Sequence, residues 1–267
     1  MLSYSRYSLI CDSPARAGED RSNRLTHRPS PGTDMGMTTI LVTGSSRGIG
    51  AAIASSLGDL PDTQVLGHGT RSGIAADLSD PAAPARLWAE ALDRAGGAID
   101  IIVNNAGIFE ASPLGADDWS DSWARTMQVN LTASAELCRL AVLHWQERGV
   151  GGRIVNIASR AAYRGDSPAH WHYAASKGGM VAMTKTIARG YAAQGILAFA
   201  VCPGFTMTGM ADDYLASRGG DKLLADIPLG RVASPEEVAA TVRFLCTDAP
   251  PSMTGAVLDV NGASYVR

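Results

Sequence analysis

The sequence predicts an α/β protein: a single Rossmann-type, doubly wound parallel sheet of about seven strands with helices on both faces. Three observations indicate this fold class. Short β-branched runs alternate with longer helical stretches from Thr38 onward, a glycine-rich turn follows the first run directly, and 46% of the 267 residues are hydrophobic. Strands separated by long helices form parallel sheets with right-handed crossovers. Both faces of such a sheet need an apolar cover.

The individual elements follow from these patterns in chain order. Apolar, β-branched runs predict strands, and apolar residues at helical spacing predict helices. The predicted strands span residues 38–42, 64–66, 74–76, 99–103, 153–158, 196–202 and 256–260. The predicted helices span residues 48–58, 81–95, 117–148 and 173–193. A further helix is predicted after Ser234, an N-cap residue that is followed by Pro235 and by Glu237 at the capping-box position.

One predicted connection is unusually short. Only seven residues separate Leu66 from Ile74. A crossover between parallel strands normally takes about a dozen residues, including its helix. We therefore expect this helix to be reduced to a turn around residues 71–73.

The first 36 residues differ in composition from the rest of the chain. They are rich in Ser, Pro, Arg and Gly, and they show neither strand alternation nor a helical period. Such a segment buries too little apolar surface to offset its ordering entropy, so we expect a disordered extension at 1–36 and one domain at 37–267. No apolar stretch follows the charges as in a secretory signal, and four acidic residues argue against an organellar targeting peptide.

A chain that starts at Met37 is expected to retain full activity, because the predicted extension contributes nothing to the core or to the motifs described below. The measurement is steady-state turnover of the shortened and full-length proteins. A shortened protein that folds but is inactive would contradict this expectation.

Charge and cysteine content exclude several function classes. The formal net charge of −3 gives no electrostatic reason to expect nucleic acid or an anionic membrane as a partner. No apolar run approaches the roughly 18 residues that indicate a membrane span. The cysteines are scattered without metal-ligand spacing, so we expect reduced thiols, no metal site and a cytoplasmic location. They are Cys11, Cys138, Cys202 and Cys246.

The glycine-rich turn reads Thr-Gly-Ser-Ser-Arg-Gly-Ile-Gly over residues 43–50. Glycines allow the backbone to turn tightly and to approach a pyrophosphate, and a helix N-terminus offers unpaired N–H groups and a positive dipole end. A glycine-rich turn alone also fits an ordinary tight loop. Its position between a strand and a helix favours dinucleotide binding.

Four motifs together resemble the short-chain dehydrogenase/reductase family, and in particular its 3-oxoacyl-carrier-protein reductase-like members. The turn has the spacing TGxxxGIG. It is followed by Asn-Asn-Ala-Gly at 104–107, by Tyr-Ala-Ala-Ser-Lys at 173–177, and by Pro-Gly at 203–204 with Thr208. The resemblance extends from Thr38 to the C-terminus. It implies hydride transfer between a nicotinamide cofactor and a small-molecule carbonyl or secondary alcohol.

The catalytic hypothesis centres on Tyr173 and Lys177. Their i, i+4 spacing puts both on one helix face. A neighbouring ammonium is expected to lower the pKa of the phenol towards working pH, where it can give and take a proton. The resemblance implies that Ser159 hydrogen-bonds the substrate oxygen, that Lys177 also binds the nicotinamide ribose, and that Asn130 holds a proton-relay water. Taken alone, Tyr173 and Lys177 also fit a surface pair. Ser159 also fits a strand-end turn residue, and Asn130 a helix-kink residue.

The segment before Tyr173 departs from the family pattern. Ser159 and Tyr173 are 14 positions apart, where the family more often shows 13. The segment contains His170, Trp171 and His172, which gives it an aromatic and polar character. Two interpretations stay open: the segment shapes a substrate pocket, or it packs at a subunit contact.

The choice between nicotinamide cofactors depends on the end of the second strand. NAD-preferring members carry an acidic residue there that accepts a hydrogen bond from the ribose 2′-hydroxyl, and here the position is Gly69. By the resemblance, Arg47 lies where NADP-preferring members often carry a basic residue, and Arg71 follows the strand end. Guanidinium groups are good donors to a 2′-phosphate, although each arginine also fits solvated surface charge. NADP(H) is therefore favoured, with NAD(H) as the alternative. The short crossover would leave one edge of the adenosine pocket open, and Asp77 matches a family residue that contacts the adenine ring.

The full predicted cofactor site combines these motifs with their neighbours. It consists of Gly44, Ser46, Arg47, Gly48, Ile49, Gly50, Arg71, Asp77, Leu78, Asn104, Ala106, Gly107, Tyr173, Lys177, Pro203, Gly204, Thr206 and Thr208.

The resemblance also implies a mobile substrate lid near residues 206–228 and a homodimer or homotetramer. The motifs specify the chemistry and not the substrate: a 3-oxoacyl thioester, a secondary alcohol, a sugar and a steroid-like ketone all fit. A rival from another class is a nucleotide-sensing regulator without turnover, and such proteins typically lose the Tyr or the Lys. The extended epimerase-like branch needs a larger C-terminal domain than the roughly 60 residues after Pro203 allow.

Overall fold

A computed structural model of the chain describes residues 37–207 and 224–267. The strands are β1 (Thr38–Val42), β2 (Thr63–Gly69), β3 (Ile74–Ala75), β4 (Ile101–Asn104), β5 (Gly152–Ile157), β6 (Ile196–Pro203) and β7 (Val257–Val260). The helices are α1 (Gly48–Gly58), α2 (Ala83–Arg94), α3 (Trp119–Met127), α4 (Ala133–Arg148), α5 (Ala161–Arg164), α6 (Trp171–Tyr191) and α7 (Pro235–Cys246).

The seven strands form one parallel sheet in the order β3-β2-β1-β4-β5-β6-β7. The predicted doubly wound α/β fold is confirmed. Strand order reverses between β1 and β4, and ligands of such sheets bind in the crevice at the carboxyl ends of the strands beside this point.

The sheet is covered by apolar helix faces on both sides. On one side, Leu87 of α2 and Trp145 of α4 belong to a buried cluster that also contains Ile102. On the other side, Ile53 of α1 and Leu245 of α7 pack in a second cluster. Each face buries a continuous apolar surface, which fixes the strand register and holds the carboxyl ends of the strands in place.

The predicted helical stretch over residues 117–148 is confirmed from Trp119 onward, but its geometry is not uniform. A π-helical turn, Gln128–Thr132, separates α3 from α4. Such turns insert one residue into a helix and are frequent at functional sites, and the apolar spacing of a sequence does not reveal them. The predicted strand start at Ile99 was also early: β4 begins at Ile101, and the Ile99 carbonyl accepts a hydrogen bond of 2.7 Å from Trp145 Nε1.

The short connection between β2 and β3 contains no helix, as predicted. Residues 70–73 form the turn, and His68 and Gly69 then pair in parallel with Ile74 and Ala75. Gly73 has φ of +65°, and a Cβ atom there would lie 2.1 Å from the Gly67 carbonyl oxygen. The turn therefore requires glycine at position 73.

The capping box at Ser234 is also confirmed: Ser234 Oγ accepts from the Glu237 amide, and the Glu237 carboxylate accepts from the Ser234 amide. Across the described ranges, no helix is both long and apolar enough to cross a membrane. The predicted extension at 1–36 and most of the predicted lid lie outside the described residues.

Candidate active site

The predicted site residues come together at the carboxyl edge of the sheet. The glycine-rich turn follows β1, the Asn-Asn-Ala-Gly motif follows β4, Ser159 follows β5, and Pro203 ends β6. Carboxyl ends of parallel strands share one edge, so four segments distant in sequence line a single crevice.

The glycine-rich turn fits a pyrophosphate. Gly44 and Gly48 have φ of +66° and +56°. A Cβ atom on Gly50 would lie 2.1 Å from the Gly44 carbonyl oxygen. Arg47, the N-cap of α1, makes no capping hydrogen bond through its side chain, and the first turn contains no acidic residue. The amide N–H groups at this helix end are therefore free of a side-chain cap, as anion binding requires.

Thr43 and Asn105 hold this turn against the end of β4. Thr43 Oγ1 accepts from the amides of Asn105 and Ala106 at 3.0 Å, and Asn105 Nδ2 donates to the carbonyls of Thr43 and Gly44, also at 3.0 Å. Neither residue was among the predicted site residues. Both lie inside the quoted motifs, which was the available signal.

The edge beyond β2 presents small polar and basic groups. A Cβ atom on Gly69 would lie 2.7 Å from Ser72 Oγ and 3.3 Å from Ser46 Cβ, so both serines lie beside it. Arg47 and Arg71 are exposed on the adjoining segments. The three atoms nearest to a Cβ at this position all belong to serine side chains.

Most of the remaining predicted cofactor residues line the crevice. Leu78 is buried, Ile49 is half-buried, and Asp77 is exposed with a pKa lowered by hydrogen bonds from Ser79. Gly204 packs tightly, since a Cβ atom there would lie 2.7 Å from Asn261 Cβ. The half-buried Ala106 and Gly204, the exposed Gly107, and the buried Pro203 and Thr206 lie at the carboxyl end of β6 and the turn after β4.

Two predicted cofactor residues are not placed at the crevice surface by the structure. The side chain of Asn104 points into the interior, where its Nδ2 donates to Cys138 Sγ at 3.2 Å and to Asn156 Oδ1 at 2.8 Å. Asn104 is fully buried, so its side chain serves packing between β4 and β5 and does not face a ligand. Thr208 lies outside the described residues.

Tyr173 and Ser159 are brought into contact from two different elements. Tyr173 lies in the first turn of α6, and its hydroxyl is hydrogen-bonded to Ser159. Ser159 Oγ also accepts from the Ala161 amide at 3.1 Å, which leaves its own proton available for donation. The two hydroxyls can therefore approach one substrate oxygen together.

The expected lowering of the Tyr173 pKa was wrong for this arrangement. Burial raises the pKa of Tyr173, and the hydrogen bond to Ser159 offsets only part of that rise. Lys177 Nζ lies 5.9 Å from the centre of the tyrosine ring. At neutral pH the phenol is thus protonated, which suits it to donate a proton.

Lys177 is a buried cation one helical turn after Tyr173. It is 4% exposed, and its Nζ donates to the Ile157 carbonyl at 2.8 Å. Burial lowers the pKa of Lys177 from 10.5 to about 8. The side chain therefore carries a charge at neutral pH at a cost in desolvation.

Asn130 is held in the π-helical turn by hydrogen bonds. Its Oδ1 accepts from the Ile108 amide at 2.8 Å, and its Nδ2 donates to the Ile108 carbonyl at 3.0 Å and to Ser176 Oγ at 3.3 Å. Ser176 Oγ in turn donates to the Tyr173 carbonyl at 2.7 Å. A Cβ atom on Gly107 would lie 3.2 Å from Asn130 Oδ1 and 3.5 Å from Lys177 Nζ, so the amide lies close to the ammonium.

The rings of Phe109 and His170 lie beside Tyr173, and we call this pair the Phe109–His170 wall. The Phe109 ring is stacked on the His170 imidazole with centroids 4.0 Å apart, and it meets Tyr173 edge-on at 4.7 Å. Phe109 is 48% exposed. This placement favours the pocket-shaping interpretation for His170, whereas His172 is buried in the interior. Phe109 follows the Asn-Asn-Ala-Gly motif closely, but its sequence position alone did not indicate this contact.

Comparisons with known proteins agree with this geometry. Residues 61–263 match a family model described as enoyl-(acyl carrier protein) reductase. The 3-oxoacyl-(acyl-carrier-protein) reductase of Vibrio cholerae is 34% identical over 244 residues, which is 85% of this chain and 96% of that protein. The 3beta-hydroxysteroid dehydrogenase 1 of Eggerthella lenta is 35% identical over 251 residues, 86% of this chain and 94% of that protein.

A solved structure extends the likeness to three dimensions. It is the structure of a candidate 2-deoxy-D-gluconate 3-dehydrogenase from Agrobacterium tumefaciens with bound NADP. The TM-score is 0.77 and the sequence identity is 28%, and the match covers 88% of this chain and 100% of that one. Sheet order, motif placement and these likenesses lead to one assignment. The chain belongs to the short-chain dehydrogenase/reductase family.

Proposed function

We propose that this protein is an NADP(H)-dependent oxidoreductase that interconverts a small-molecule ketone and a secondary alcohol, with Tyr173 as general acid and base. The observation that carries the proposal is the meeting of Tyr173 with Ser159 and Lys177 at the carboxyl edge of the sheet. The names of two relatives describe enzymes that act on a carbonyl or an alcohol, which supports the reaction class.

The division of labour follows from the hydrogen-bond partners. When bound, the nicotinamide supplies the hydride that reduces the carbonyl carbon. Ser159 donates a hydrogen bond to the carbonyl oxygen, and Tyr173 gives its proton to that oxygen as negative charge develops there. The phenolate that remains is stabilised by the Lys177 ammonium. Asn130 positions α6 through Ser176 and lies beside Lys177, and the Tyr173 phenolate must regain a proton before the next turnover.

Three features support NADP(H) as the cofactor. Gly69 offers no carboxylate to repel a 2′-phosphate, Ser46 and Ser72 offer hydroxyl donors beside it, and Arg47 and Arg71 supply positive charge. The turn at residues 70–73 takes the place of a crossover helix and leaves this edge accessible. The structural relative with bound NADP is consistent with this choice.

The Phe109–His170 wall supports a substrate with an apolar part next to the reacting carbonyl. Exposed aromatic faces gain from covering apolar surface. The test is a panel of 3-oxoacyl thioesters, steroid ketones and ketoses, with NADPH absorbance as the measured signal. Turnover of ketones in this panel is expected. No turnover of any ketone, with the protein folded and NADPH bound, would favour the nucleotide-sensing alternative, which no observation supports at present.

Gly69→Asp is expected to reverse the cofactor preference. An aspartate there would repel a 2′-phosphate and accept from a 2′-hydroxyl, so the ratio of kcat/KM for NADPH over NADH should fall by about 100-fold, or roughly 2–3 kcal/mol. The new Cβ displaces the Ser72 hydroxyl, the end of a flexible side chain, and requires a small shift of Ser46, whose Cβ lies 3.3 Å away.

Gly69→Asn is the matched control, because it adds nearly the same volume without charge. Its cofactor ratio should change far less than that of the aspartate variant. Equal effects from both variants would show that space, and not charge, sets the preference. A wild-type ratio below one would remove the NADP(H) assignment itself.

Membership of the family is the ground for expecting a homo-oligomer. The proposal here is a homodimer or homotetramer, and sedimentation velocity is the direct test.

A further inference from the structure

His68 lies at the junction of three segments of the cofactor crevice and belongs to none of the sequence motifs. It stands in β2 one position before Gly69, and it is 3% exposed. Side chains alternate along a strand, so His68 is on the same sheet face as Leu66, which belongs to the cluster beneath α2. A buried polar ring on this face needs partners for both nitrogens.

Both imidazole nitrogens have a backbone partner. The Gly44 amide donates to Nδ1 at 3.2 Å, and Nε2 lies 3.0 Å from the Ala76 carbonyl oxygen. An amide N–H can only donate and a carbonyl oxygen can only accept, so the ring is neutral with its proton on Nε2. The His68 carbonyl additionally accepts from the Ser45 amide at 2.8 Å and from Ser45 Oγ at 3.2 Å.

These bonds connect the phosphate-binding turn to the chain leaving β3. Gly44 is the first glycine of the turn, and Ala76 directly precedes Asp77 at the adenine side of the crevice. In a sheet with a full crossover, a helix would cover this region. Here residues 70–73 form only a turn, and the His68 ring provides the link between the two segments instead.

Resting on the proposed function, we infer that His68 is a positioning residue for the dinucleotide: its neutral ring holds the Gly44 turn and the Ala76–Asp77 segment in their binding geometry, and its protonation weakens cofactor binding. A second proton would sit on Nδ1 and face the Gly44 N–H, so the bond that fixes the first glycine would be lost. The affected step is cofactor binding, because the hydrogen bonds of His68 go to Gly44, Ser45 and Ala76.

The charged groups near His68 are exposed to solvent, so we assign the pH dependence of cofactor binding to His68 itself. The charged side chains of the neighbouring segments are Arg47, Arg71 and Asp77, and all three are exposed. Burial lowers the pKa of His68, and its bond to Ala76 raises it by less. Protonation is therefore confined to acidic pH, and near pH 7 the ring is neutral.

The test compares wild type with His68→Leu and His68→Gln. Leucine fills the space without hydrogen bonds, and the Kd for NADPH, measured by the protein's own fluorescence, should rise about tenfold at pH 7.5, as expected for an unsatisfied buried amide. kcat at saturating NADPH should change by less than about twofold. Glutamine retains a donor and an acceptor but does not titrate near neutral pH.

The pH dependence separates a positioning role from a merely structural one. Between pH 7.5 and 5.5 the Kd of wild type for NADPH should rise by a larger factor than that of His68→Gln. The 2′-phosphate titrates near pH 6 in both proteins, so it cancels in this comparison. His144→Gln, a half-buried histidine on α4 bonded to Arg148, is the matched control and should follow wild type.

The outcomes are distinct. Equal pH dependence in wild type and His68→Gln, or a loss of kcat with unchanged Kd in His68→Leu, would overturn the role of His68 and leave the proposed function standing. If His68→Leu does not fold, the pH dependence of the NADPH Kd in wild type and His68→Gln tests the inference on its own. Absence of NADPH and NADH binding to wild type at any pH would overturn the proposed function, and this inference with it.

Discussion

Replacing Tyr173 with phenylalanine is expected to lower kcat for ketone reduction by about 10³-fold, within the range seen for loss of a general acid. The substitution removes only the hydroxyl, which is hydrogen-bonded to Ser159. The ring remains, so its edge contact with Phe109 at 4.7 Å should persist. Cofactor binding should therefore be unchanged within about twofold, and single-turnover oxidation of bound NADPH is the measurement that isolates the loss.

Tyr191→Phe provides the matched control. Tyr191 is the last residue of the same helix, α6, and lies five turns from the site. Its variant should turn over at the wild-type rate. A Tyr173→Phe protein that keeps about a tenth or more of wild-type kcat would exclude the phenol as the main proton donor.

The fold was predictable because each element leaves a local signal. Strands such as β1 are short β-branched runs, and the start of α7 is encoded by the Ser234 capping box. The π-helical turn at Gln128–Thr132 was not predictable, because it inserts one residue without interrupting the run of helix-forming side chains. Asn130 lies in this turn. Its hydrogen bonds to Ile108 are tertiary contacts, which no local sequence pattern contains.

The site was predictable where residues fall in contiguous motifs and unpredictable where contacts cross the sheet. Tyr173, Lys177 and the glycine turn follow from spacing along the chain. The inward orientation of Asn104 depends on Cys138 and Asn156 from two other elements. The raised pKa of Tyr173 depends on burial, which sequence spacing does not report.

Lys177→Met is expected to lower kcat for reduction by about 10²- to 10³-fold, because the phenolate left on Tyr173 loses its neighbouring charge. The pKa of Lys177 is about 8, so wild type retains the ammonium at neutral pH and loses it above pH 8. Reduction by wild type should therefore decline above pH 8. Tyr173 has a raised pKa, so it stays protonated over this range and does not cause the decline. The residual reduction by Lys177→Met should show no such decline above pH 8.

The same substitution is expected to leave the fold as stable as before or more stable, which distinguishes a catalytic lysine from a structural one. The pKa of Lys177 falls from 10.5 to about 8 on folding, so the folded state binds the proton more weakly than the unfolded chain. This lowers the free energy of unfolding by about 3 kcal/mol at pH 7, and the penalty disappears as pH rises from 8 to above 10.5. Loss of the bond to the Ile157 carbonyl offsets about 1 kcal/mol of the gain.

Thermal unfolding at two pH values tests this balance. At pH 7 the Tm of Lys177→Met should exceed that of wild type by a few degrees, and the difference should shrink or reverse by pH 10. Lys185→Met, at an exposed position of the same helix, should show neither the stability change nor the loss of turnover. If Lys177→Met is instead strongly destabilised at pH 7, the buried ammonium supports the fold, and its loss of activity says nothing about catalysis. A stable, inactive Lys177→Met protein would show that the chain retains a destabilising charge for its chemistry.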